Sequence, residues 1–202
     1  GREAFSVSTS NAQAVTLVEA WKNWPKGKLA LVGPMGAGKT HLAQVWAELS
    51  GAQVILARDV SRWPLPEADG TKLVVEDVPD IAGDPVAEEA LFHLHNAMAS
   101  TKGFLMVTGE HDPALWPLKL PDLASRLQGT STITLEMPDD ALLQAVVMKL
   151  LADRQLMPSP DTIPYLARRI ERSFEAARDI VERLDRTALD RGRPITRALA
   201  AE

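Results

Sequence analysis

The sequence of 202 residues contains no cysteine, which excludes a disulfide framework, a thiolate metal site and a cysteine nucleophile, and fits the cytoplasm. It holds no apolar run approaching the ~20 residues needed to cross a bilayer and opens on no charged-then-apolar signal segment, so a soluble protein without a membrane partner is expected. It also lacks a basic excess: 22 Lys and Arg stand against 27 Asp and Glu, a net charge of -5. Proteins whose surfaces grip phosphate backbones show the opposite balance, so strong direct DNA binding is not expected, with a local basic patch left open. Internal repeats and low-complexity tracts are absent. Gly1 rather than Met opens the sequence, so some natural N-terminus is expected to precede it.

Five short apolar runs are present, Lys28 to Val32, Gln53 to Ala57, Lys72 to Glu76, Phe104 to Thr108 and Thr132 to Leu135. Their alternation with helical patterns predicts an α/β fold with a five-stranded parallel sheet. Helices are expected from Ala12 to Trp21 behind the caps Ser10 and Asn11, from Gly38 to Leu49 and from Val86 to Ala99. Trp63 to Pro66 and Pro79 to Pro85 read as loops. After Met137 the strand signals stop. Pro138-Asp139-Asp140 looks like a helix start, and Leu142, Leu143, Val146, Val147, Leu150 and Leu151 then recur at helical spacing. Further helices are expected at about Thr162 to Arg172 and Phe174 to Leu189, with a last short one near Pro194. Residues 1–137 are thus expected to form an α/β domain and residues 138–202 a small all-helical one.

The most informative stretch is Gly33-Pro34-Met35-Gly36-Ala37-Gly38-Lys39-Thr40, which directly follows the first strand and opens a helix. It is a complete phosphate-binding loop of the G-x-x-x-x-G-K-[ST] type. Glycines let successive N–H groups turn inward on phosphate oxygens, and the helix adds about +0.5 charge at its N-terminus. Lys39 is placed to reach the β- and γ-phosphates of ATP or ADP, and the Thr40 hydroxyl to ligate a bridging Mg²⁺. The strand Leu73-Val74-Val75 ends in Glu76-Asp77, 37 residues after Lys39. At the carboxyl edge of a parallel sheet these carboxylates face the same crevice as the loop. Glu76 is expected to hold the metal's shell and Asp77 to orient or deprotonate an attacking water. Thr108, at the end of the fourth strand, is placed to touch the γ-phosphate or that water.

Other residues carry blander readings. His41 lies just inside the loop's helix, on a face expected to pack on the sheet. His93 and His95, two apart on a helix, point in different directions and make no simple metal pair. Trp21, Trp24, Trp46, Trp63 and Trp116 are expected to pack rather than stack on bases. Arg168, Arg169 and Arg172 read as a solvated helix face.

The order of these parts resembles the AAA+ ATPases, and within them the DnaA replication-initiator family. Gly38-Lys39-Thr40-His41-Leu42 matches that family's G-K-T-H-L continuation, Phe5 to Asn11 its adenine-covering segment, and Glu88-Glu89 with Asn96 the helix after its second carboxylate motif. Leu123-Ala124-Ser125-Arg126-Leu127 resembles its L-x-S-R-F box, whose arginine acts on a neighbouring subunit's nucleotide, a role carried here to Arg126. Arg154-Gln155-Leu156-Met157-Pro158 and the helix after it resemble the lid. The family's γ-phosphate-sensing lid arginine falls on Glu175, with Arg172 and Arg178 expected one turn away on the same face; Arg178 is then the cation expected at the phosphates. Glu76 replaces the usual Asp, and Asp122 an arginine used in subunit contacts, which together imply weak intrinsic hydrolysis. With the sequence stopping at Glu202, no helix-turn-helix module is expected. That pattern is closest to the Hda-type regulators, whose resemblance implies the sliding clamp and the DnaA initiator as partners, promotion of hydrolysis of DnaA-bound ATP, and a homo-oligomer as a further state. A clamp-binding peptide of that type is not visible in the sequence. Two other readings of the same loop stay open: a small-molecule phosphoryl transferase, and a DNA-handling loader.

Overall fold

A computed structural model describes residues 11–191 and 196–201. The expectations placed on Phe5 to Ser10 and on Pro194 lie outside the described residues. Five strands, β1 (Lys28–Val32), β2 (Gln53–Leu56), β3 (Lys72–Glu76), β4 (Phe104–Gly109) and β5 (Thr132–Thr134), form one sheet in the order β2-β3-β4-β1-β5, every pair parallel. β1 lies between β4 and β5 and all five of its residues are buried. Parallel strands covered on both faces need no polar alternation, which is why this one reads as an unbroken apolar run.

Strand periodicity divides the core in two. Leu29, Leu31, Val74 and Met106 face one side, where α1 (Ala12–Glu19), α2 (Lys39–Ser50), α5 (Asp140–Asp153), α6 (Thr162–Arg169) and α7 (Phe174–Arg191) contribute to a single apolar cluster. Ala30, Val32, Leu73, Val75, Leu105 and Val107 face the other, against α3 (Pro85–Ser100) and α4 (Pro121–Gln128). α8 (Arg197–Ala200) packs on α6 and α7. On the first face Trp24 lies 4.9 Å from Trp46, and Trp21 meets Trp46 edge-on at 6.2 Å. Trp24, Trp46 and Trp116 are buried and Trp63 packs against the second cluster, as packing tryptophans should.

Caps set the helix ends. The Asp84 carboxylate accepts from the Val86 and Ala87 N–H groups with Pro85 at the first helical position, and Asp139 accepts from Leu142 at 2.7 Å, fixing the expected start of α5. Three differences from the expected pattern matter. The segment after Leu120 forms a two-turn helix, α4, anchored by Leu123 and Leu127; two buried leucines are too few to show a periodicity. The 79–85 loop begins inside a 3₁₀ turn, Val78–Ile81. α6 ends at Arg169 rather than Arg172, because the Ser173 hydroxyl caps α7 by accepting from the Ala176 N–H at 3.0 Å, and the chain must leave the helix to place it there.

Glu88 is 1% exposed, and its carboxylate accepts from the Gly83, Lys119 and Leu120 N–H groups at 2.7, 2.8 and 2.9 Å. It ties the start of α3 to the segment that leads into α4, and so positions the helix that carries Arg126.

Candidate nucleotide site

The loop between β1 and α2 closes at the carboxyl edge of the sheet. Gly33 sits against the Leu135 carbonyl with no room for a Cβ, and Gly36 and Gly38 take left-handed backbone angles of φ 86° and 103°. Ala37 is buried beneath the loop, while Pro34 and Met35 are exposed above it. Lys39 folds back and donates to the Gly33 carbonyl at 2.5 Å and the Pro34 carbonyl at 3.1 Å. These are the donors a phosphate would recruit, parked on the loop's own oxygens.

A pocket of about 230 Å³ opens over this loop. Gly36, Gly38, Lys39 and Thr40 form its floor, with Met35 and His41 beside them. Asp77 and Glu110 reach it from the ends of β3 and β4, and Phe174, Glu175 and Arg178 from α7. Burial pushes the Lys39 ammonium below its usual range, opposed by the carboxylates of Glu110, Asp77 and Glu76. Glu76 is half-buried; burial pushes its carboxyl above the usual range, Asp77 pushes the same way, and Lys39 opposes. Its Oε1 is buried without a hydrogen-bond partner among the described residues. Asp77 is exposed and left-handed, φ 60°, and its N–H donates to the Thr108 hydroxyl at 3.1 Å.

Of the expected residues, Met35, Gly36, Gly38, Lys39, Thr40, His41, Asp77 and Arg178 line the pocket and Glu76 does not; three other differences stand out. Thr108 is 2% exposed and does not line the pocket; its hydroxyl holds the Asp77 backbone instead. Arg172 lies outside α7, so helical spacing does not bring it beside Glu175 and Arg178; it pairs with Asp140 at 2.8 Å. Glu110 was not anticipated. It is the first polar residue past β4, and its position beyond a strand end at the same edge as Glu76 was the available signal.

Mg²⁺ fits the donors present. The hard oxygens of Thr40 and Glu76 suit it, and the orphaned Glu76 Oε1 is a buried acceptor without a donor. Among the described residues no three acidic or histidine side chains form a metal cage, so phosphate oxygens would have to complete the shell, as is usual for this ion.

Arg126 is elsewhere. It is exposed on α4, within 5.5 Å of the Phe92 ring, and it lines a cavity at the opposite, amino-terminal edge of the sheet. β1 separates the two edges by about 16 Å at ~3.3 Å per residue.

No protein-family model matches the chain. Its fold is similar to domain III of the Thermotoga maritima replication initiation protein DnaA, with a TM-score of 0.85 at 20% identity over 98% of this chain and 92% of that one. It is similar as well to the replication initiator DnaA bound to AMPPCP and single-stranded DNA (TM-score 0.76, 20% identity, 94% of this chain and 66% of that one). The Thermotoga maritima RuvB Holliday junction branch migration motor gives 0.74 at 17% identity, over 96% of this chain and 68% of that one. The chain spans about two thirds of the length of these last two proteins. The fold is that of DnaA domain III, a five-stranded parallel sheet with a helical C-terminal part. Among the described residues no helix is long and apolar enough to cross a membrane.

Proposed function

We propose that the chain is an adenine-nucleotide-binding AAA+ regulator of the Hda type, which promotes hydrolysis of ATP held by a DnaA initiator in company with the sliding clamp. The supporting observation is the separation of Arg126 from the chain's own phosphate loop: it stands exposed at the other edge of the sheet, out of reach of a nucleotide held by that loop. In this reading Lys39, Thr40 and the loop amides bind the chain's own ATP or ADP. Arg178 supplies the second cation over the phosphates, and residues 138–202 act as a lid. Mg²⁺, when bound, would supply charge neutralisation at the nucleotide's phosphates. Glu76 holds its shell, and Asp77, fixed by Thr108, orients a water. Glu110 and Glu175 add negative charge to the same pocket and weaken its grip on a γ-phosphate, consistent with slow intrinsic turnover.

The test measures hydrolysis of DnaA-bound ATP with the chain and clamp added. An arginine finger supplied in trans raises hydrolysis by about 10³- to 10⁵-fold, so Arg126→Ala should remove most of the stimulation while ADP binding to the chain is retained. Undiminished stimulation by Arg126→Ala refutes the trans role.

A further inference from the structure

A cavity of about 820 Å³ opens at the amino-terminal edge of the sheet, between the residues that lead into β1, β4 and β5. Lys22, Lys26, Lys28, Lys102 and Arg126 line it, with His95, and no carboxylate does. Among the described residues none of these five cations forms an ion pair. In a chain of net charge -5, five unneutralised cations around one hollow are a concentration of charge that folding alone does not require.

The cavity is also built at backbone cost. Lys26 and Lys102 both hold left-handed conformations, φ 56° and 51°. Lys102 occupies the turn after α3, where the Gly103 N–H returns to the Met98 carbonyl at 2.7 Å, a position that glycine usually fills. Gly27 and Gly103 touch with no space for a Cβ, which draws the two lysine-bearing turns together. Backbone outliers of this kind cluster at ligand sites.

At the base, Lys28 is 6% exposed and donates from Nζ to His95 Nδ1 at 2.9 Å and to the His95 carbonyl at 3.3 Å. With Nδ1 accepting, the neutral imidazole carries its proton on Nε2. His95 is 5% exposed, and that Nε2 is buried without a partner. A buried ammonium at the base of a hollow whose other charged groups are the exposed cations Lys22, Lys26, Lys102 and Arg126 defines a receptor for an anion.

We propose that this cavity is a second anion site, which takes a compact polyphosphate, free or as the tail of a nucleotide, between Lys28 at its base and Lys26, Lys102 and Arg126 at its mouth. A hollow of about 820 Å³ with its one buried cation at the base suits a small anion rather than a duplex. The site shares Arg126 with the proposed trans role but not Lys28, so substitutions at Lys28 separate the two. Burial, with Arg126 and Lys26 adding repulsion, lowers the Lys28 pKa to about 8, and the same causes, burial first and then Lys28, Arg126 and Lys26, hold His95 near 3 and neutral. Binding therefore rests on Lys28 being charged and fades as pH rises through 8.

The experiment is calorimetric titration of the full chain, saturated with Mg-ADP, by inorganic tripolyphosphate. One equivalent should bind, about tenfold or more weaker in Lys28→Met, the effect of losing a charge-assisted hydrogen bond, and weaker at pH 9.5 than at pH 7. Lys102→Gln, at the exposed mouth, should weaken it in a fold whose ADP heat is unchanged. Displacement of tripolyphosphate by ATP identifies a nucleotide tail as the occupant, and failure of ATP to displace it identifies the free polyanion. Absence of binding, equal affinity in Lys28→Met, or an oligonucleotide that binds through Lys28 without competition from tripolyphosphate each overturns the proposal. Absence of an ADP heat in the wild-type chain refutes the nucleotide reading alone.

Discussion

Gly36 is where the phosphate loop and the helical part meet, and replacing it with alanine tests that junction. Its φ of 86° costs an L-residue about 1–2 kcal/mol. An added Cβ would stand 2.5 Å from the Ser173 Cβ, an atom one bond from the backbone of a residue that is 5% exposed and caps α7. Ser173 has no rotamer that moves that atom away, so the strain is of the overpacking kind, about 1–3 kcal/mol. Relief by separation gives up the bond from the Phe174 N–H to the Gly36 carbonyl, 3.2 Å, a further ~1 kcal/mol. A total loss of about 3–6 kcal/mol in urea unfolding is expected, with weaker binding of ATP because Glu175 and Arg178 move with α7. Gly51→Ala is the control: it has a similar φ of 80° at the end of α2 but nothing within 4 Å of its Cβ, so only the backbone term of about 1–2 kcal/mol applies. If the two variants unfold at the same urea concentration, the Ser173 contact does not join the loop to the lid as described.

Glu88→Gln should cost about 1.5–3 kcal/mol in chemical denaturation, since an amide retains one acceptor oxygen and turns an N–H₂ toward one of the three donors it faces. Lys28→Met is expected to gain up to roughly 3 kcal/mol at pH 7. The folded-state pKa is lowered from 10.5 to about 8, so the penalty on the wild type is full below pH 8 and disappears above about 10.5, where the two proteins should unfold alike. Glu76→Gln should be as stable as the wild type or more so at neutral pH, because folding raises this carboxyl's pKa and disfavours its ionised form. That advantage should shrink as pH falls toward 4.5, and nucleotide titrations with and without Mg²⁺ should show the metal dependence reduced.

Much of this architecture is legible in the amino-acid sequence. The strands lie within a residue or two of their apolar runs because buried parallel strands leave the strongest local signature a sequence can carry. The start of α5 was marked by Asp139, and the phosphate loop by its glycines; the Asp84 cap of α3 is seen only in the structure. What escaped notice depends on contacts between distant segments. Arg172 was assigned to a helix that Ser173 interrupts, a break that a serine before Phe174-Glu175-Ala176 could have announced. Thr108 is turned inward by a bond to a neighbouring strand's end, and Glu110 joins the pocket only through sheet topology. The five cations of the second cavity come from segments up to a hundred residues apart, and an acidic total masked them.

The tryptophan group on the first face gives the molecule a built-in optical reporter. Indoles 4.9 and 6.2 Å apart couple their excited states, so Trp21, Trp24 and Trp46 should produce a paired circular-dichroism band in the far ultraviolet, where the strong indole transition lies, that vanishes when α1 or α2 shifts. Trp24 also borders the basic cavity, and its emission should respond to an occupant there without any attached dye.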